Sequence, residues 1–246
     1  MNYLLRFLLF IFFFSSTTLF SDTLFLKTQF QKAHPGDFIV LEHDHTITFM
    51  HIHAKNDNTL LLEEVNLPEK ALKDLRKKPS FSWNSWFQNG SAKNTSWIMY
   101  EISLNSGTIL KSYSFTRRCL LNPSQIENFL PTLLNLPFTK IPEQNRKRVG
   151  RAPPSGERDK RPLWQPRMIV NGKVIPNIAF DGWKTTWPKD ASPLSGTVVE
   201  IYLPANYKDA PTYFPYWLQV SDTLATAKIR LIDSGENAHS PYPGMP

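Results

Sequence analysis

The sequence predicts a mainly β (α+β) fold, namely a curved antiparallel sheet or half-barrel with one or two short covering helices. Three observations support this class. Apolar residues recur in short runs of about four to eight residues, and turn signals separate the runs. Proline is twice as frequent as glycine, with 20 residues against 10, which disfavours long helices. The 246 residues are 41% hydrophobic and 13% aromatic, which is enough apolar material for a buried core.

The first 21 residues have the layout of a secretory signal peptide. Arg6 gives the segment a positive start, the eight residues Phe7–Phe14 are all apolar, and small polar residues follow. A comfortable membrane span needs about 20 apolar residues, so an uncleaved anchor is the weaker alternative. We therefore expect residues 1–21 to be a cleaved signal and the mature protein to be periplasmic or secreted.

A single β-rich domain is expected over residues 22–234. Its first part reads as a three-stranded meander with strands at 38–41, 46–53 and 60–65. The turn-forming cluster Ala54-Lys55-Asn56-Asp57-Asn58 separates the second and third strands. The meander therefore provides one half of the predicted sheet.

A hairpin and two helices follow in the prediction. Residues 97–104 alternate between apolar and polar, and 108–115 return after an Asn-Ser-Gly turn. Residues 68–78 and 123–135 show helical spacing of apolar residues, each with a proline near its start. The stretch 80–96 is interpreted as a loop. We expect the 123–135 helix to cover the open face of the sheet.

The second half begins with a basic loop at 140–161, which carries charge, Pro153-Pro154 and Gly156. Short strands are predicted beyond this loop, and Asn171-Gly172 is a strong hairpin signal between the first two. The polar, proline-rich end, residues 235–246, is interpreted as a loose tail. The predicted strands lie at 167–170, 173–175, 197–203, 216–220 and 227–232.

Charge and cysteine content limit the partners. The formal net charge is +7, and seven basic residues fall between Arg146 and Arg161. No aromatic residues interleave with these charges, and nucleic acid is not a partner expected of an exported chain. The single cysteine, Cys119, excludes an intramolecular disulfide. We expect a monomer without a cofactor, with at most peripheral membrane contact apart from the signal.

Known catalytic motifs are missing from the sequence. It contains no Gly-x-Ser-x-Gly, no His-Glu-x-x-His and no glycine-rich phosphate loop. Asp233-Ser234-Gly235 resembles the aspartic protease triplet, but that chemistry needs two carboxylates that share a proton, and the triplet occurs once. The chain is therefore predicted not to be an enzyme. An unrecognised hydrolase stays open because catalytic triads form in space and not in sequence.

Paired histidines are the candidate metal ligands. His43 with His45, and His51 with His53, are two residues apart, so the members of each pair face one side of a strand. Imidazoles in this arrangement bind zinc or copper. Along one straight strand the outer members would lie about 33 Å apart, so one four-histidine site needs a bend or a second strand. The alternative is that all four are solvent-facing.

Clustered aromatic residues are the candidate ligand contacts. Core packing accounts for most of them, but a curved sheet with an aromatic-lined concavity also suits an apolar ligand. The tentative ligand-binding residues are Trp83, Trp86, Trp97, Trp183, Trp187 and Trp217.

Five stretches are distinctive as a set: Gly36-Asp37-Phe38-Ile39-Val40, Leu60-Leu61-Leu62-Glu63-Glu64, Trp97-Ile98-Met99-Tyr100-Glu101-Ile102, Phe214-Pro215-Tyr216-Trp217-Leu218 and Ile229-Arg230-Leu231-Ile232-Asp233-Ser234-Gly235. Together they resemble an uncharacterised family of exported proteins of intracellular Gram-negative bacteria. The resemblance covers most of the mature chain and implies no activity and no assigned site. More faintly, the order of elements is similar to periplasmic lipoprotein carriers, whose curved half-barrel shelters acyl chains; this implies fold only.

The sequence thus predicts an exported, non-enzymatic binding protein that holds a lipid or other apolar ligand, or contacts a protein of the cell envelope. A metal-binding exported protein that uses the paired histidines is the first alternative. A hydrolase is the second.

Overall fold

The computed structural model describes residues 23–122, 129–205, 207, 210–221 and 226–246. Within these residues the chain forms fourteen β-strands and four short α-helices. The strands are β1 (Thr23–Leu24), β2 (Phe38–His43), β3 (Thr46–Lys55), β4 (Thr59–Pro68), β5 (Ser96–Ser103), β6 (Ile109–Ser114), β7 (Cys119–Leu120), β8 (Phe138–Lys140), β9 (Met168–Val170), β10 (Lys173–Ile175), β11 (Phe180–Thr186), β12 (Val198–Pro204), β13 (Trp217–Ser221) and β14 (Thr226–Gly235). The helices are α1 (Leu26–Phe30), α2 (Glu69–Leu75), α3 (Trp83–Gln88) and α4 (Phe129–Asn135).

Twelve strands form one open, curved antiparallel sheet in the order β1-β8-β11-β12-β13-β14-β2-β3-β4-β5-β6-β7. Strands β9 and β10 form a separate hairpin. Strand β14 pairs with β2, so the C-terminal half of the chain joins the N-terminal meander in the middle of the sheet. The predicted fold class, mainly β with a curved antiparallel sheet, is confirmed.

The predicted meander and the first hairpin are confirmed as β2-β3-β4 and β5-β6, which pair as consecutive antiparallel neighbours. The turn between β2 and β3 places Asp44 and His45 at φ 42° and 63°. The Asn171-Gly172 hairpin joins β9 to β10 with both residues at positive φ, as this turn type requires. Local turn chemistry therefore sets these registers.

The sheet separates two hydrophobic cores, because successive residues of a strand point to opposite faces. On β2, Ile39 and Leu41 belong to the first core, whereas Phe38 and Val40 belong to the second. The first core lies under α1 and α4, which contribute Leu26, Phe30, Leu133 and Leu134. The second core lies under α2 and α3.

More helices cover the sheet than the one or two predicted. Helix α2 matches the segment predicted at 68–78, and α4 matches the end of 123–135, whose residues 123–128 lie outside the described part. The prediction of a loop over 80–96 is wrong for its middle. There the hydroxyl of Ser82 accepts a hydrogen bond from the Ser85 backbone N–H at 3.2 Å and caps α3. The apolar face of α3 is buried against the second core.

The C-terminal tail, residues 235–246, is not loose, which corrects the prediction. The backbone N–H of Ala238 donates to the carbonyl of Gly36 at 2.9 Å. The ring of Tyr242 stacks on Phe115 with centroids 3.9 Å apart. The polar, proline-rich composition of the tail disfavours a strand or a helix. It does not prevent the tail from packing on the domain through aromatic rings and backbone hydrogen bonds.

The basic segment 140–161 is attached to the sheet at its start. A guanidinium nitrogen of Arg146 donates to the carbonyl of Phe180 at 2.5 Å, and Lys147 lies 3.2 Å from Glu200. The predicted signal at 1–21 lies outside the described residues. Among the residues that are described, none of the helices is both long and apolar enough to span a membrane.

Candidate functional site

A cleft of about 1100 Å³ opens over the middle of the sheet, where β14 meets β2. The end of β14 and Phe38 of β2 form its base. One side is built from α2, α3 and the segment between them. The other side is the segment 164–172, which leads into the β9-β10 hairpin. Its volume is slightly larger than the usual range for small-molecule sites, which is about 300–1000 Å³.

Aromatic rings line both sides of this cleft. Trp83 begins α3 on one side, and Trp164 with Trp217 stands on the other. The rings of Trp164 and Trp217 meet nearly edge to face, with centroids 5.0 Å apart at 68°. These rings offer flat apolar surface to a ligand.

Two guanidinium groups of the cleft form no salt bridge in the described part of the chain, although the charge of Arg76 acts on Asp233 and opposes the rise that burial causes in the pKa of that carboxyl group. Arg230 is bonded to Glu42, and Lys73 lies 2.8 Å from Glu69. Arg76 lies over the Trp83 ring at 6.0 Å, and Arg167 is exposed. Neither Arg76 nor Arg167 forms an ion pair within the described ranges. Unpaired guanidinium groups bind carboxylate or phosphate oxygens in a bidentate manner.

Two side chains that line the cleft also carry unsatisfied polar atoms. In the part of the chain that the structure describes, Trp217 Nε1 and Asn84 Oδ1 are buried and have no hydrogen-bond partner. The amide nitrogen of Asn84 donates to the carbonyl of Glu236 at 3.2 Å, so the orientation of this amide is fixed. A buried polar group without a partner costs about 1–3 kcal/mol and calls for an explanation. A bound ligand provides one.

Asp233 is the buried carboxyl group at the base of the cleft. Its Oδ1 accepts hydrogen bonds from the backbone N–H groups of Gly172 at 3.0 Å and Ser234 at 2.9 Å. Burial raises the pKa of Asp233, and these two N–H groups oppose the rise. The triplet that resembles an aspartic protease motif therefore ends strand β14. Gly235 is required there, because a Cβ would lie 2.6 Å from the Phe38 ring.

Replacement of Asp233 by asparagine should stabilise the protein relative to wild type at pH 7, and not at pH 3.5. The raised pKa means that the folded state disfavours the charged carboxylate, so Asp233 reduces stability once the pH exceeds the unfolded value of about 3.9. An asparagine side chain still has an oxygen that can accept hydrogen bonds from the two backbone N–H groups, and it carries no charge that burial would penalise. Urea unfolding at both pH values measures the difference. A variant that is less stable than wild type by the same amount at both pH values would contradict this interpretation.

The six candidate tryptophans do not share one concavity, which corrects the sequence-based expectation. Trp83, Trp86 and Trp97 pack in the second core, and Trp187 is buried in the first, stacked on Phe129 at 5.6 Å. The sheet lies between these groups. Trp183 and Trp217 are partly buried against the first core. Of the six, Trp83 and Trp217 line the cleft; Trp164, which the sequence did not single out, lies beside them.

The four candidate histidines divide into two places, so a single four-histidine site is not formed. His43 and His45 lie at the β2-β3 turn with exposed rings, next to Asp44 and Glu69. His51 and His53 lie toward the other end of β3. The reason is that His43 and His45 lie at the turn of the β2-β3 hairpin, whereas His51 pairs with Phe38 at its other end.

His51 and His53 meet a carboxylate that the sequence analysis missed. Nδ1 of His51 lies 2.8 Å and Nδ1 of His53 lies 3.7 Å from Oε2 of Glu63 on the neighbouring strand β4. Glu63 is fully buried, and burial by itself raises its pKa, but the hydrogen bond with His51 and the nearby imidazole of His53 outweigh burial and lower the pKa. The carboxylate in turn raises the pKa of His53 against the cost of burial. The sequence did contain a sign that Glu63 is buried. It shares one face of β4 with Val65 and Leu67, which lie two and four residues further on and are buried.

Comparison with known proteins gives a family. Residues 48–176, more than half of the chain, match the model of the CT021 protein family. The chain belongs to the CT021 family. The structure is also similar to the 2.0 Å structure of the hypothetical protein CT021 from Chlamydia trachomatis, at 21% sequence identity and a TM-score of 0.62. That similarity covers 91% of this chain and 98% of the Chlamydia chain. No curated protein matches significantly.

Membership of the CT021 family confirms the resemblance to an uncharacterised family of intracellular Gram-negative bacteria. At 21% identity, the Chlamydia structure shows a shared fold. A shared family and fold do not by themselves assign an activity to this chain, and the cleft and the histidine cluster are the features that bear on its function.

Proposed function

We propose that this CT021 family member is a non-enzymatic binding protein whose cleft takes a small ligand with an anionic group and a flat apolar part. The observation that carries the proposal is the pair of guanidinium groups, Arg76 and Arg167, which line the cleft with the aromatic rings and form no salt bridge among the described residues. The guanidinium groups match an anion, and the Trp83, Trp164 and Trp217 rings match a flat apolar body.

An acyl chain fits this cleft poorly, although a lipid was the first expectation. Proteins hold long acyl chains between predominantly apolar walls, because a charged side chain next to an acyl chain loses its contact with water, which costs free energy. The cleft instead combines its aromatic rings with charged side chains on every side. These are Glu42, Glu69, Lys73, Arg76, Arg167, Arg230 and Asp233.

Binding without catalysis is favoured because the cleft residues described above do not form a hydrogen-bonded set of nucleophile, histidine base and carboxylate. The carboxyl group of Asp233 is engaged by two backbone N–H groups. At the other cluster, the hydroxyl of Ser240 donates to Glu63 at 2.8 Å and not to an imidazole, which is not the relay of a serine hydrolase.

Titration with 2-naphthalenesulfonate tests the proposed ligand chemistry, because this probe joins a flat aromatic body to an anion. We expect saturable binding in calorimetry, and at least about tenfold weaker binding to the double variant Arg76→Ala/Arg167→Ala, since hydrogen bonds to charged groups contribute about 1.5–3 kcal/mol each. The neutral analogue 2-naphthalenemethanol should not distinguish the two proteins.

The matched control is Arg151→Ala/Arg158→Ala, which removes the same charge from exposed positions of the basic segment. It should bind the sulfonate like the wild type. Equal loss of affinity in both double variants would mean that net charge attracts the probe and the cleft does not select it. Equal affinity in all three proteins would contradict the proposal.

Export to the periplasm or beyond is part of the same proposal and rests on residues 1–21. Arg6 and the apolar run Phe7–Phe14 support it. N-terminal sequencing of the protein isolated from its host tests it. A mature chain that starts within a few residues of Asp22 is expected, and a chain that retains Met1 would contradict it.

A further inference from the structure

Two imidazole rings and one carboxylate converge beneath the C-terminal tail. The ligand atoms that His51, His53 and Glu63 offer all lie within 4.8 Å of one another. We propose that these three side chains bind a divalent transition-metal ion, for which zinc is the best chemical match. Imidazole nitrogen and carboxylate oxygen are both zinc ligands, and two histidines with one glutamate form a known ligand set.

The spacing of the three groups suits a tetrahedral ion. Ligand atoms held at 2.0–2.2 Å from such an ion lie about 3.4 Å from one another. The two distances to Glu63 Oε2, 2.8 Å from His51 Nδ1 and 3.7 Å from His53 Nδ1, bracket this value. The separations of both imidazole nitrogens from Glu63 Oε2 are therefore close to those of a tetrahedral site.

The hydrogen bond on the far side of His51 fixes the tautomer that a metal needs. Its Nε2 lies 3.0 Å from the carbonyl oxygen of Ala238 in the tail. A carbonyl only accepts, so Nε2 carries a proton, and in the neutral ring the lone pair of Nδ1 points at Glu63. Histidines that bind metals characteristically donate their other N–H to a carbonyl or carboxylate.

The carboxylate is oriented in the same way. Its other oxygen, Glu63 Oε1, accepts a hydrogen bond from the Ser240 hydroxyl at 2.8 Å and a longer one from Trp97 Nε1 at 3.4 Å. This leaves Oε2 directed at the two imidazoles. Such outer hydrogen bonds hold ligating carboxylates in place.

One proton shared within this cluster cannot give both imidazole Nδ1 atoms a hydrogen-bond partner. A proton on Nδ1 of His51 makes one hydrogen bond to Glu63, but Nδ1 of His53 is buried and lacks a hydrogen-bond partner within the described residues. A buried nitrogen in that state is costly. A cation among the three atoms satisfies all of them at once.

The backbone also departs from regularity at this point. The register of β3 with β4 shifts between Ile52 and Ala54, so His53 has no direct partner on β4. Such bulges re-aim a side chain and are common next to binding sites. Bound metal would join β3 and β4 to the tail, because the carbonyl of Ala238 and the hydroxyl of Ser240 hold the ligands.

Zinc binding to the purified protein, stripped with a chelator and then reloaded, tests the proposal. We expect about one zinc per chain by elemental mass spectrometry. We also expect slower proteolysis of the C-terminal tail with zinc than without it, and visible absorption typical of tetrahedral cobalt(II) after cobalt loading. His53→Ala is the informative variant, since His53 is the least buried of the three ligands. It should weaken zinc binding by more than the ~10–100-fold that loss of an outer hydrogen-bond partner causes.

Ser240→Ala and His43→Ala complete the design. Ser240→Ala should weaken zinc binding by about 10–100-fold, because it frees Glu63 Oε1. His43→Ala removes an exposed imidazole from the other end of β3 and should bind zinc like the wild type. The proposal is overturned if the folded wild type binds no zinc, if His53→Ala binds it as tightly as the wild type, or if His43→Ala abolishes binding.

Discussion

Replacing Phe49 with alanine should lower the free energy of unfolding by about 3–5 kcal/mol, the usual cost of removing a buried aromatic ring. Phe49 is fully buried at the centre of the second core. Its ring centroid lies 4.7 Å from that of Phe87, 5.1 Å from Phe38 and 5.8 Å from Trp86. The cavity left behind cannot collapse easily, because the sheet holds one side and α3 the other.

Phe81→Ala is the matched control for this prediction. Phe81 belongs to the edge of the same aromatic cluster, is half-buried, and meets Trp83 at 5.2 Å. Its loss should cost about 1 kcal/mol, in the range of a single aromatic pair. Chemical denaturation of both variants gives the comparison. Similar losses for the two would mean that Phe49 is not the centre of this core.

The effect of Phe49→Ala should also reach the cleft. Helix α3 packs on Phe49 through Trp86 and Phe87, and the same helix carries Trp83 and Asn84 into the cleft lining. A folded but loosened variant should therefore bind 2-naphthalenesulfonate more weakly than the wild type.

Glu63→Ala should lower the free energy of unfolding of the chelator-treated protein by about 3–5 kcal/mol, because each buried polar group left without its partner costs about 1–3 kcal/mol. Four side chains lose a hydrogen-bond or charge partner in this variant: His51, His53, Trp97 and Ser240. The tail should then be digested sooner by proteases, because Ser240 fastens it to Glu63. Urea unfolding measures the stability.

Glu69→Ala provides the contrast. Glu69 also contacts a histidine, His45, and Lys73 lowers the pKa of its carboxyl group to about 2. It lies at the surface, where solvent screens these charges, so its replacement should leave the unfolding midpoint nearly unchanged. Comparable destabilisation by both replacements would show that burial does not set the importance of Glu63.

The sequence predicted those features of the fold that local patterns encode. Alternation and turn residues located β2 to β6, and Asn171-Gly172 located the β9-β10 hairpin. Helix α3 was missed because its apolar residues were interpreted as a tryptophan-rich loop, although Ser82 provides a capping signal. The docked tail was missed because its contacts, such as Tyr242 on Phe115, join residues far apart in the chain.

The candidate sites were only partly predictable for the same reason. His51 and His53 were identified from their spacing, but Glu63 lies on the next strand and only the register of β3 with β4 places it opposite His51. The cleft depends on the pairing of β14 with β2, which brings Trp217 near Trp83 from distant parts of the sequence. Long-range pairing of strands leaves no local pattern.

The most direct test of ligand binding in the cleft is an NMR titration of the indole N–H groups with 2-naphthalenesulfonate. The chain has 7 tryptophans, and single Trp→Phe variants assign their signals. We predict saturable shifts for Trp83, Trp164 and Trp217, which line the cleft, and unchanged signals for Trp183 and Trp187. Shifts at Trp183 or Trp187 without shifts at Trp217, or no saturable shift at the three cleft tryptophans, would contradict the assignment of the cleft as the binding site.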